Sequence, residues 1–584
     1  MSDQPTDGRE AAYSVSKATS DVFRHSILAH PLIRKDLPVG TEAAAARVHF
    51  TGSADPSIPV NWRFAEAVAS LKGLEASILN VLLTRKYGIP LQDVTIDTDH
   101  ATLFIMSARL WTIDPGEGGW NIAPTNAPVA SERLAQMFPP RDPHRARATL
   151  HRTFATGIYK CADGKYFNIH GSMNADPIAD YLGLARDMDT ESFEEGLQRW
   201  RDAVRAFSSE DLDVRCNNDY RQAGTICYSV DEFRASAHAK ANRHVGLWEI
   251  YDHPTSSQVP CWWPSSSSTS VTRPLAGLKV VDLTRIIAGP AVTRSLAEFG
   301  ASVMRCTSPS LPDQSVLHPD LNWGKWNCSI DLTSSEDRQK LRDLILEADV
   351  VVQGYRPSAL DKYGFGQQDI IDLCKHRERG IISVRENCYG WHGPWAARPG
   401  WQEISDSCVG VARSFGEAMG HDEPVIPIFP HSDYCTGIVG SCAILIALLR
   451  RAEKGGSYAV DLALNYYTTW LVESVGEYPR PVFERVWQAH GRRVWRSHNR
   501  NLETALATVK NLREGVGGTS LLRPDFFEGR MAPGILGEKK FRHVRSVARW
   551  PAGTVEPGFR IGTRGNGVDA ARWPEDLSVE SVIS

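Results

Sequence analysis

From position 275 onward the chain alternates short apolar runs with longer stretches in which apolar residues return every three or four positions. LKVVDLT (278–284) reads as a buried strand, and ASVMRC (301–306), DVVVQGY (349–355) and IISVREN (381–387) as further strands. Between them lie three helical patterns: AVTRSLAEFG, opened by Gly289-Pro290, then about Ser334 to Ala348, then about Gln368 to His376. Thr333 and Glu336 have the spacing of a capping box for the second helix. This alternation predicts parallel βαβ units in an open, doubly wound sheet, with a ligand crevice at the carboxyl ends of the strands. No GxGxxG follows the first strand, so a dinucleotide is not indicated.

The earlier part of the chain reads differently. Leu71 to Arg85 has the pattern of an amphipathic helix, and GIYKCADGKYFNIHG (157–171) that of a hairpin turning at Asp163-Gly164, so the region is α+β. PTSSQVPCWWPSSSSTSVTRP, from Pro254 to Pro274, has the composition of an exposed connector. A weak repeat is present as well: ILNVLLTRKYGIPLQDVTID (78–97) matches ILIALLRRAEKGGSYAVD (444–461) in pattern, and Arg243-His244-Val245 before Pro254 recurs as Arg542-His543-Val544 before Pro551. Two incomplete copies of one unit, or a chance likeness of helix–strand pairs, account for this. The expected division is an extension over 1–59, partly disordered; a partial first-copy large domain over 60–145; a small α+β domain over 146–254; a linker over 255–274; a second-copy α/β domain over 275–475; and a diverged region over 476–584.

Composition narrows the function. With 584 residues, 42% hydrophobic, the chain can bury a large core, and its formal charge of -4 supplies no basic field for nucleic acid. The eleven cysteines are scattered without CxxC pairs or zinc-ligand spacing, which predicts reduced, buried thiols. Signal and presequence patterns are lacking at MSDQPTDGRE, and the apolar run Gly437 to Leu449 is shorter than the ~20 residues of a bilayer span. A cytoplasmic protein without a membrane partner is therefore expected.

Five segments in order, PLAGLKVVDLTRIIAGPAVTRSLAEFGASVMRC, GKWNCSIDL, ADVVVQGYRPSALDKYGFG, GPWAARPGW and HSDYCTGIVGSCAILIALLRR, resemble the family III (CaiB/BaiF) CoA-transferases, whose members include formyl-CoA and carnitine CoA-transferases and α-methylacyl-CoA racemase. The likeness is close from Pro274 to about Leu471, and the stretch from about Val60 to Pro254 looks like the second half of such a protein. The resemblance implies an α/β fold with a doubly wound parallel-sheet large domain and a smaller α+β domain, here as two partial copies in one chain. Family members form interlaced dimers, so either a homodimer or a pseudo-dimer within one chain is implied.

The resemblance places Asp433 at the catalytic aspartate. A carboxylate can attack an acyl-CoA thioester, form a mixed anhydride and exchange partners through an enzyme thioester, with the helix N-terminus stabilising the anion. No metal or redox cofactor is required; coenzyme A or acyl-CoA is the substrate, with a carboxylic acid as the other small-molecule partner. The alternative role for Asp433, or for Ser432 beside it, is to cap the helix. For the CoA site the resemblance implies Ile287 and Ala288, then Ile330, Asp331, Leu332 and Thr333 under the adenine, then Gly354, Tyr355 and Arg356, with Lys362 where an arginine is common. Ser308 and Gly354 depart from the family's arginine and asparagine. Trp401 stands where transferases carry Tyr and the racemase branch its His, which disfavours two-base racemisation and leaves shielding of the anhydride or plain packing. Glu66 or Ala67 falls near the position equivalent to Asp433 in the first copy; an exposed helix carboxylate, rather than a second nucleophile, is the expectation there, with one working site per chain. Gly515 to Gly518 is a lid or a surface loop, and His431 orients a carboxylate or packs. The function expected is CoA transfer from an acyl-CoA to a free acid; an acyl-CoA isomerase and a non-catalytic acyl-CoA-binding protein are the alternatives.

Overall fold

The strands Lys279–Leu283, Ser302–Thr307, Lys325–Ser329, Val350–Gln353, Ile382–Asn387 and Ser457–Ala463 run parallel in the spatial order third, second, first, fourth, fifth, sixth. These come from a computed structural model that describes residues 13–114, 116, 128–190, 192–265, 269–515, 521–531 and 539–584. The order reverses between Lys279–Leu283 and Val350–Gln353, which makes that junction the switch point where a doubly wound sheet opens a crevice. Helices cover both faces, and the strands are correspondingly buried nearly throughout. The expected helices are observed at Ala288–Glu298, Ser335–Glu347 and Gln367–Cys374.

The capping box is displaced by one residue. Ser334 is the N-cap and its hydroxyl accepts from Asp337 N, while the Thr333 hydroxyl is held by Asp331 at 2.8 Å. The apolar pattern also does not mark Lys325–Ser329 as a strand, because Lys325 and Asn327 are buried polar residues. Lys325 Nζ is paired with Asp282 at 3.0 Å, and Asn327 N donates to Asp569.

Two helices of 24 residues, Phe64–Tyr87 and His431–Lys454, pack together at the centre. The first is not amphipathic as expected: it is buried on every side from Phe64 to Leu83, with Lys72 and Glu75 paired at 2.8 Å. Both are long and apolar enough to cross a bilayer by composition, yet here they form protein core.

The hairpin forms as expected, with Thr156–Lys160 against Tyr166–His170, and Ala223–Ile226 adds a third strand. Residues 13–59 carry helices and the strand Val48–Thr51, which pairs in parallel with Val94–Asp97. The connector is packed in part rather than exposed: Trp263 is buried, donates to Ala276 O at 3.0 Å and lies under Lys86. Two long-range pairings tie the chain together. Glu249–His253 runs antiparallel along Ser457–Ala463, and Ala548–Arg549 runs antiparallel along Val94–Asp97.

Candidate active site

The loop that leaves the first strand carries one of two backbone outliers of the region, the other being Ser358. Ile286 has φ of 72°, a left-handed conformation costly for a β-branched residue, and Ile287 leads directly into the helix Ala288–Glu298. Gly354-Tyr355-Arg356 leaves the fourth strand beside it. Between them opens a cavity of about 570 Å³ at the switch point. Its walls include Ile287, Ala288, Ile330, Asp331, Leu332, Thr333, Gly354, Tyr355, Arg356, Lys362, Trp401 and Asp433, so the residues that the resemblance implies for the CoA site share one space with Asp433. Arg285, Arg356 and Lys362 supply positive charge there; Arg285 lies 5.2 Å over the Tyr355 ring and Arg356 donates to Arg221 O at 2.7 Å.

Asp433 lies in the first turn of the helix His431–Lys454 and lines the cavity. It does not cap that helix. The N-cap is Pro430, no side chain caps the end, the Ser432 hydroxyl is buried without a partner, and Asp433 has no hydrogen-bond partner among the described residues. Burial, and after it the charges of Asp406 and Glu403, raise its carboxyl well above the ordinary aspartate value. A partly exposed carboxylate without a partner at a helix N-terminus can act as a nucleophile.

Two carboxyl groups beside it carried no sequence signal. Glu386, at the end of the fifth strand, lines the same cavity; burial first and then Asp433 raise its carboxyl well above the ordinary value. A side chain at Gly354 would come within 3.2 Å of Glu386, which gives a local reason for glycine there. Glu403 is pushed up to about 7 by burial, with Arg147 opposing and Asp406 reinforcing. His431 turns away from the cavity: it contacts Asp406 at 3.1 Å and stacks on Phe64 with ring centres 3.9 Å apart, so it packs.

Trp401 donates from Nε1 to Ser172 at 2.9 Å and stacks on His170 at 5.4 Å. It thereby forms a wall between the cavity and a second, smaller one that also reaches Asp433. Glu66, expected to be exposed, is fully buried and accepts from Tyr13 at 2.5 Å and Tyr478 at 2.8 Å. Of the glycine-rich run, Gly515 closes the helix Asn501–Arg513 region with φ of 72°, and positions 516–518 lie outside the described residues.

A doubly wound domain whose switch-point crevice is lined by cationic side chains and by the carboxyl groups of Glu386 and Asp433 has the form of an α/β enzyme that binds a nucleotide-like ligand. The family model for CoA-transferase family III matches residues 275–506. The chain is 48% identical over 573 residues to the acetyl-coenzyme A transferase nodX of Hypoxylon pulicicidum, covering 97% of this chain and 95% of that one. It is 32% identical to an acyl-CoA transferase of Gibberella moniliformis, covering 76% and 77%. A crystal structure of a CaiB/BaiF family protein from Brucella suis matches at 26% identity with a TM-score of 0.31, over 39% of this chain and 60% of that one. The chain belongs to CoA-transferase family III.

Proposed function

We propose that the enzyme moves CoA from an acyl-CoA to a free carboxylic acid through covalent adducts on Asp433. The Asp433 carboxylate attacks the thioester carbonyl, forming an acyl–aspartyl anhydride as the C–S bond breaks and CoA thiolate leaves. The thiolate then attacks the aspartyl carbonyl, releasing the donor acid and leaving an aspartyl–CoA thioester. The acceptor carboxylate attacks that thioester in turn, and the expelled thiolate takes the new acyl group, freeing Asp433. The observation that carries this is Asp433 itself: uncapped, unpaired and facing both cavities. In this reading Ile287, Ala288 and Gly354 to Arg356 flank the pantetheine and phosphates, Ile330 to Thr333 the adenine, and Lys362 the phosphate end.

The two-copy arrangement belongs to the same proposal. Phe64 and His431, the first residues of the two central helices, stack on one another, so Glu66 and Asp433 are each third in their helix. The strand after each helix takes an antiparallel edge partner from the other half of the chain. One chain thereby imitates an interlaced pair, with its first site closed by the two tyrosines on Glu66.

Incubation with acyl-CoAs followed by hydroxylamine is expected to leave a hydroxamate at Asp433, read by intact-protein and peptide mass. Asp433→Ala is expected to lose the adduct and about 10³-fold or more of the transfer rate. Full transfer by Asp433→Ala would sink the mechanism. Glu386 favours one second reading, acyl-CoA isomerisation, since it places a second carboxyl on the cavity. Deuterium uptake at Cα from D2O, lost in Glu386→Gln, would establish that reaction instead.

A further inference from the structure

Three ligand-bearing side chains converge at the edge of the large sheet, away from Asp433. Glu249 opens the edge strand Glu249–His253, His244 precedes it in the turn after the helix Ala237–Asn242, and His392 stands on the loop that follows the strand Ile382–Asn387. One ligand atom of each lies within 4.8 Å of the other two. His392 Nε2 is 2.8 Å and His244 Nε2 3.7 Å from the same Glu249 oxygen, and the two imidazole ring centres are 4.7 Å apart. None of the three lines either cavity that reaches Asp433. His244 belongs to the Arg-His-Val motif that recurs at 542–544, but its counterpart is placed differently: His543 is buried, with its ring centre 4.5 Å from that of Trp323, whereas His244 is exposed.

The carboxylate is held ready as a ligand. Glu249 Oε1 accepts from Tyr251 at 2.7 Å and Oε2 from Tyr466 at 2.8 Å. Burial opposes its ionisation, yet the bonds from His392, Tyr251 and Tyr466 outweigh burial and keep the carboxyl below the ordinary glutamate value. The loop that carries His392 is fixed from two sides: Tyr466 accepts from Trp391 N at 3.0 Å, and Asn242 donates to His392 O at 2.8 Å. Outer bonds of this kind orient the ligands of a metal. Around a tetrahedral zinc ion with bonds of about 2.0–2.1 Å, ligand atoms stand about 3.3 Å apart, and the two separations from Glu249 bracket that spacing. Two imidazoles and a carboxylate suit zinc and its neighbours in the first transition row, whereas magnesium and calcium take oxygen ligands.

We infer that His244, Glu249 and His392 bind one zinc ion, with water in the fourth position. Two of the ligands come from ahead of the connector and one from beyond it, so the ion pins the segment that supplies the edge strand to the loop of the large domain. The site stands apart from CoA transfer and is independent of the role given to Asp433.

Calorimetric titration of the EDTA-treated full chain with zinc chloride is expected to show one ion bound per chain, and thermal denaturation a higher Tm with zinc than without it. His244→Ala removes an exposed side chain and leaves the strand pairing and the two tyrosines on Glu249 in place; it is expected to weaken zinc binding about 100-fold or more, as is His392→Ala. With cobalt in place of zinc, the protein is expected to show the visible bands of a four-coordinate ion and no near-ultraviolet thiolate charge-transfer band. Failure of the unsubstituted chain to bind zinc overturns the inference, and so does zinc that binds both alanine variants as tightly. A thiolate band would overturn it too, by placing the ion on one of the eleven cysteines. A Tm unmoved by bound zinc would overturn the pinning role.

Discussion

At the scale of single residues, the site is a cluster of carboxyl groups, Asp406 buried and Asp433, Glu386 and Glu403 half-buried around it. Asp433 takes its raised pKa from burial first and from Asp406 and Glu403 next. In the proposed mechanism the attacking form is the carboxylate, so the transfer rate is expected to rise with pH along a limb lying above the ordinary aspartate range. Glu403→Gln removes one like charge, which lowers the Asp433 pKa and moves that limb toward acid; a pH profile of kcat/KM checks the direction, and a shift toward alkali would contradict it. Stability carries the same signature with a definite sign. Below the unfolded pKa of about 4, both folded and unfolded states hold the Asp433 proton, and the site costs nothing. As pH rises the unfolded chain ionises while the folded site resists, so stability falls through the folded pKa. Asp433→Asn is therefore expected to raise Tm by about 1–3 °C at pH 8 and to give no gain near pH 3, by thermal denaturation.

At the scale of elements, the central helix His431–Lys454 is positioned by glycines. A side chain at Gly437 would stand 2.5 Å from Ala291 Cβ and 3.0 Å from its backbone carbon, so the helices Ala288–Glu298 and His431–Lys454 touch nearly backbone to backbone. Gly437→Val is expected to destabilise by about 2 kcal/mol, measured by denaturant unfolding, and to lower transfer by moving Asp433 against the Ile287 loop. Much of this architecture was legible beforehand. Strands such as Val350–Gln353, buried on both faces, are uninterrupted apolar runs, and the ordered motifs located Asp433 and the loops that line the cavity. What escaped were the residues whose burial is settled by distant partners. Lys325 sits in a strand because Asp282 awaits it, and Glu66 is enclosed because Tyr13 and Tyr478 converge on it from 53 and 412 positions away. Glu386 belongs to the same group: nothing local in the sequence shows that the fold sets it beside Asp433.

At the scale of the whole molecule, the two halves do not complete their own sheets. Glu249–His253, from before the connector, forms the edge of the large sheet, and Ala548–Arg549, near the end of the chain, forms the edge of the small one. The central helices, one from each half, bury one another along their length, and Phe64 lies on His431. Separating the halves would therefore strip two strand edges of their backbone partners and expose the apolar faces of both helices, a cost far above ordinary domain stability. A single cooperative transition is expected in calorimetry of the intact chain rather than one for each half. Cleavage at a protease site placed between Ser265 and Thr269, in the connector, is the sharper test. The nicked protein should still elute as one particle near 64.7 kDa per pair of fragments, and should retain transfer activity, because strand pairings join the two fragments across the cut. Halves that part without denaturant would show that the exchanged strands contribute little. The proposed pseudo-dimer would then be rejected, with Glu66 and Asp433 in units that fold independently.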